Sequence, residues 1–135
     1  MSNLYGVAGV NNPQYLLASP EGQDVIGVNL KPGQGAVARG TVLYKNGEMY
    51  EAADAAAIIE TNDLVVCDEA VDTDENPGVA EVARAYRAGH LLAGRVKAKD
   101  GSAVTAAQAL ILRKQGIVLD IMDQGAPVVN NQAGQ

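Results

Sequence analysis

Apolar positions along this chain come in short groups separated by turn-forming residues, and no single period runs from end to end. Residues 1–22 hold the groups Leu4-Tyr5 and Tyr15-Leu16-Leu17, with Val7 between them, among Gly6, Gly9, Asn11-Asn12, Pro13 and Pro20. Neither a helical nor a strand period lasts there, so the segment reads as an extended arm. Val25-Ile26-Gly27-Val28-Asn29-Leu30 reads as a strand and Lys31-Pro32-Gly33-Gln34-Gly35 as a turn. The sharpest local signal is a hairpin, with Thr41 to Lys45 and Glu48 to Glu51 flanking Asn46-Gly47. Asn and Gly tolerate the positive φ that a two-residue turn requires, and this register sets Lys45 opposite Glu48, Tyr44 opposite Met49 and Leu43 opposite Tyr50.

Further on, Ala52 to Ile59 is Ala-rich and fits a short helix or a loop, and Asp63 to Glu69 reads as a buried strand. A turn-rich acidic loop, Val71 to Gly78, leads into an extended segment from Val79 to Leu92, where Arg84 and Tyr86 face away from Ala83, Ala85 and Arg87. Thr105 and Gln108 have the spacing of a capping box that opens a helix, and Gly116 closes it. Within it Ala106, Ala109, Leu110 and Arg113 share one side, and Arg113 and Lys114 complement the negative pole of the helix dipole. Ile117 to Met122 resumes as a strand, and Gly125 to Gln135 reads as a solvated tail. The expected fold is therefore α+β, mainly β, in one small domain with one short C-terminal helix and an extended N-terminal arm. Its boundaries are 1–22 for the arm, 23–123 for the β-rich domain and 124–135 for the tail.

Composition sharpens this in two ways. The 135 residues contain no Phe and no Trp, so the core is built of Ala, Val, Leu and Ile with five Tyr. Such a core buries little area per residue, which favours further burial between subunits or against a partner. A formal charge of −6 with scattered Lys and Arg disfavours nucleic acid and anionic membrane surfaces as partners. One cysteine, Cys67, fits a reducing cytoplasm, and no export signal or membrane span is visible.

Candidate chemistry is sparse. Asp72-Thr73-Asp74-Glu75-Asn76-Pro77-Gly78 starts like a calcium loop, but Pro77 stands where Gly is needed and Ala83 where the bidentate Glu should be. A solvated turn is the better reading, so no metal is expected. Gly33, Gly35 and Gly40 match neither a dinucleotide nor a phosphate loop. His90 is the only histidine, and Cys67 lies in an apolar run that raises a thiol's pKa. Neither makes a catalytic set, so no enzyme activity and no cofactor are expected.

The order of segments resembles the head decoration proteins of tailed phages, the lambda-type capsid cement proteins. The resemblance rests on Tyr15-Leu16-Leu17-Ala18, on Val28-Asn29-Leu30-Lys31-Pro32-Gly33-Gln34-Gly35, and on Arg39-Gly40-Thr41-Val42-Leu43 leading into the Asn46-Gly47 hairpin. In the second half it rests on Val65 to Asp72, Ala85 to Leu92 and Leu112 to Leu119, and it departs at His90-Leu91-Leu92, where an aromatic residue would follow the glycine. The resemblance implies a non-enzymatic virion protein, made in the host cytoplasm, that binds the major capsid protein on the outer surface of the expanded shell. It implies binding as a homotrimer, or in some cases as a monomer, at threefold or quasi-threefold positions, and an arm, carrying Leu4, Tyr5, Val7, Tyr15, Leu16 and Leu17, that grips the shell. The rival readings are the capsid-bound base of a head fibre, a small tail component, and a small β-rich ligand-binding module.

Overall fold

Turn residues divide the chain into strands wherever β-branched and aromatic positions alternate between them, and the computed structural model describes residues 15–121. The strands are β1 (Leu17–Leu30), β2 (Ala36–Val37), β3 (Val42–Asn46), β4 (Met49–Ala52), β5 (Leu64–Cys67), β6 (Val71–Asp72), β7 (Glu81–Leu92) and β8 (Ile117–Asp120). One helix, α1 (Ala106–Lys114), precedes β8. Among the described residues the domain is mainly β with one α-helix, as the sequence predicts.

The pairings close on themselves. The main sheet runs β1-β4-β3-β5-β7-β8, and β1 also pairs with β7, so five strands form a ring. β1 and β7 are antiparallel from Leu30↔Glu81 to Leu17↔Leu91, with register shifts between Leu17 and Val25. The ring closes through the parallel contact Leu30↔Tyr50, where Lys31 N donates to Tyr50 O at 3.0 Å. β8 adds in parallel to the last residues of β7, from Gly89↔Ile117 to Leu92↔Asp120. β2 and β6 make a separate two-stranded ribbon.

Strand alternation sorts side chains into two cores. Val28, Leu30, Leu43, Val65, Cys67, Ala83 and Ala85 pack together with Val37 inside the ring. Val42, Leu64, Val66 and Tyr86 point the other way and pack with Leu16, Leu17, Ile58, Leu91, Val96, Leu112 and Ile117. A ring of five strands has less internal room than the eight-stranded barrels whose lumen side chains just fill. That is a physical reason for Ala83, Ala85 and Cys67 on its inner face, and for the absence of Phe and Trp.

Several boundaries shift against the sequence reading. Leu17 already belongs to β1, eight residues before the predicted strand start at Val25, because Leu16 and Leu17 are needed to cover the outer core. The hairpin turns at Gly47-Glu48, with Asn46↔Met49, Lys45↔Tyr50, Tyr44↔Glu51 and Leu43↔Ala52. Each partner moves by two residues, so every side chain keeps its face, and Asn46 Nδ2 donates to Glu51 Oε2 at 2.7 Å. This register also brings Tyr50 to its partner Leu30 at the ring closure. Ala52 to Ile59 resolves as the end of β4 followed by turns, and β7 begins at Glu81.

Helix α1 has the predicted capping box. The Thr105 hydroxyl accepts from Gln108 N at 3.2 Å, and Gln108 Oε1 accepts from Thr105 N at 2.9 Å. Its buried side is Leu112, with Ile111 partly buried, whereas Ala106, Leu110 and Arg113 lie together on the exposed side and Ala109 is half-buried. The reason is the exit: Gln115 is turned inward, accepting from Leu64 N at 2.9 Å and donating to Asn62 O at 2.7 Å. That tie fixes the rotation of the helix. Thr105→Ala is expected to lower stability by about 1 kcal/mol, measured as a shift in the urea midpoint at unchanged slope.

Candidate functional site

The six residues predicted to form a gripping arm divide into two sets. Leu4, Tyr5 and Val7 lie outside the described residues. Leu16 and Leu17 are buried in the domain's own outer core, and Tyr15 is half-buried against it. A leucine that fills its own core cannot also fill a partner's without breaking that core, so Leu16 and Leu17 are corrected from arm to root. Leu92 N donates to Leu16 O at 2.7 Å, and Leu17 pairs with Leu91, so the root is tied into β7.

Tyr15 is held by two cations. Arg95 Nη1 donates to the Tyr15 carbonyl at 2.7 Å, and its guanidinium carbon lies 4.5 Å from the centre of the Tyr15 ring. The Arg39 guanidinium lies 5.1 Å from the same ring. Cations over an aromatic face are attracted by the ring quadrupole, and Arg presents a flat face for it. Arg39 in turn is fixed by Asp68. Its Nε donates to Asp68 Oδ1 at 2.9 Å, and Nη2 lies 2.9 Å from that same oxygen but outside donor geometry, which leaves Nη2 without a hydrogen bond among the described residues. Asp68 is almost fully buried, and its other oxygen faces Arg84 at 3.8 Å. Burial, and then the nearby Asp68 carboxylate, push the Tyr86 phenol above its ordinary pKa.

The backbone beneath this cluster is pinned by one glycine. Gly40 has φ +97°, its N–H donates to Cys67 O at 2.7 Å, and its carbonyl accepts from Lys97 N at 2.9 Å. Thr41 continues the contact as a bridge to Lys97. The sequence marked Arg39-Gly40-Thr41-Val42 as a motif without assigning Arg39 a role, and it did not single out Arg95 or Asp68 as partners. Two arginines 56 positions apart give no local signal that they will share one tyrosine.

The other candidates resolve as follows. Cys67 is buried, and desolvation pushes its thiol up to about 11, which keeps it neutral. His90 Nδ1 lies 3.2 Å from Asp120 Oδ2 at the β7–β8 junction. The acidic loop is stapled by the buried Thr73, whose hydroxyl donates to Gly35 O at 2.8 Å and accepts from Gln34 N at 2.9 Å. Its Asp72 carboxylate accepts from Asp74 N at 2.9 Å, within the loop's own turn. Among the described residues no group of three or more His, Cys, Asp or Glu is placed to hold a metal ion, and no helix is long and apolar enough to cross a membrane. What the Tyr15 cluster does chemically is hold: stacking, one charged hydrogen bond and a buried ion pair fix the point from which residues 1–14 depart. No family model and no curated protein matches the sequence.

Proposed function

We propose that this chain is a capsid decoration protein, a non-enzymatic cement subunit that binds the major capsid protein on the outside of an expanded phage head, as homotrimers at threefold positions. The observation that carries the reading is the clamped root at Tyr15. It anchors an upstream segment with Leu4, Tyr5 and Val7 to a closed ring of strands, and the segment order resembles that of the cement proteins. An extended segment with spaced apolar side chains suits addition to an exposed strand edge, gaining backbone hydrogen bonds and apolar burial together. Linking subunits multiplies weak single contacts through effective concentration. A ligand that binds only the expanded shell lowers that shell's free energy and so resists bursting under packed DNA.

The test is cosedimentation of the purified protein with expanded, undecorated capsids, counting bound copies. Saturation at the number of threefold positions is the expected result, and no binding at micromolar concentration overturns the decoration role. Removing residues 1–14 leaves Tyr15, Leu16 and Leu17 in place, so the shortened chain is expected to melt like the full one while binding at least about tenfold more weakly. Undiminished capsid binding by a folded, shortened chain would remove the arm from the proposal.

A further inference from the structure

Positive charge collects beside the root in a chain whose acids outnumber its bases sixteen to ten. In this stretch Val96 and Ala98 are buried in the outer core; Arg95, at the end of a 3-10 turn, and Lys99, at the start of the next turn, are exposed, and Lys97 between the two buried positions is half-exposed. The stretch is rigid: Lys97 O accepts from Val42 N at 2.9 Å and Lys99 N donates to Ala53 O at 2.8 Å. Between it and residues 36–39 is a hollow of about 200 Å³, lined by Arg39, Lys97 and Lys99 and by no carboxylate. Arg39 is neutralised by Asp68, but Lys97 and Lys99 have no ion pair among the described residues.

Like charges gathered without a counter-charge repel, and an anion entering the hollow relieves that repulsion. We propose that the hollow receives the carboxylate side chains of a short acidic segment of a partner polypeptide. The volume is smaller than that of pockets that enclose whole small-molecule ligands, and it suits one or two inserted side chains. A long polyanion is disfavoured because exposed Asp54, Asp72, Asp74 and Asp100 stand on the same and adjoining segments. Repulsion from them reaches about 8 Å at physiological salt. A short acidic segment flanked by neutral residues stays inside the positive region. The inference does not depend on the partner being a capsid, and its test uses the isolated chain.

The full-length protein, labelled with nitrogen-15, is titrated at low salt with an acetylated and amidated Gly-Ser-Glu-Glu-Ser-Gly peptide while its amide resonances are followed. The expected result is saturable movement of the amides of residues 36–39 and 97–101. It should weaken at least about fivefold when salt is raised to a few hundred millimolar. Lys97→Gln combined with Lys99→Gln should lower the affinity about tenfold without disturbing the rest of the spectrum. The exposed Lys99→Gln alone, which cannot disturb the core, should lower it severalfold. No localised movement, or equal movement with the Gln-for-Glu peptide, overturns the proposal. So does equal binding of inorganic phosphate, which would make the hollow a bare anion site, or tighter binding of a six-residue thymidine oligonucleotide, which would point to nucleic acid.

Discussion

Gly40→Ala is expected to destabilise the protein by about 3–5 kcal/mol, the largest loss expected from Gly→Ala among the described glycines. A Cβ at Gly40 would lie 2.1 Å from the carbonyl oxygen of Arg95 and 3.3 Å from its carbonyl carbon, and the φ of +97° already disfavours an L side chain. Neither strand can retreat, because Gly40 is hydrogen-bonded on one side to Cys67 and on the other to Lys97. Gly47 is the control. Its φ of +69° is also positive, but nothing lies within 4 Å of its Cβ position, so Gly47→Ala should cost only about 1 kcal/mol. Urea denaturation of the two variants side by side measures the difference. Equal losses would mean that the close approach of Gly40 and Arg95 is not what constrains position 40.

Asp68→Ala is expected to cost about 3 kcal/mol, because it strands the mostly buried Arg39 guanidinium without its counter-charge. Arg39→Ala should cost less, since the Asp68 carboxylate that remains keeps Arg84 at 3.8 Å. The double variant Asp68→Leu with Arg39→Met removes both charges and should recover most of the loss, since replacing a buried pair by apolar side chains is often close to neutral. A double variant as unstable as Asp68→Ala alone would show that the damage lies in packing and not in the unpaired charge. Binding should separate these cases too, because without Arg39 the Tyr15 ring keeps only Arg95.

The parts of the fold legible in the sequence were those set by neighbours in the chain. The Thr105 and Gln108 capping box, the Gly116 stop, the buried run in β5 and the alternation of Tyr86 against Ala83 and Ala85 all depend on spacings of a few residues. Where the sequence misled, a distant partner decided. Leu16 and Leu17 looked like arm residues because glycine, asparagine and proline surround them, and only their pairing across to Leu91 and Leu92 makes them core. The hairpin slipped by one turn position because Tyr50 must also meet Leu30 to close the ring. The Tyr15 clamp was not legible for the same reason: Arg39, Asp68 and Arg95 converge only after β3, β5 and the stretch after β7 have been stacked together.

The long pairing of β1 with β7 also decides how the protein carries a load. A pull on the segment upstream of Tyr15 acts along the axis of β1, while the hydrogen bonds joining β1 to β7 lie across it. Such bonds are strained in shear and share the force, in contrast to a strand peeled from one end, where each bond meets the whole force in turn. The Leu16–Leu92 hydrogen bond and the paired residues from Leu17 to Leu30 therefore act together as a lap joint. A tether leaving the domain at this end transmits tension into the whole ring of strands instead of unzipping it.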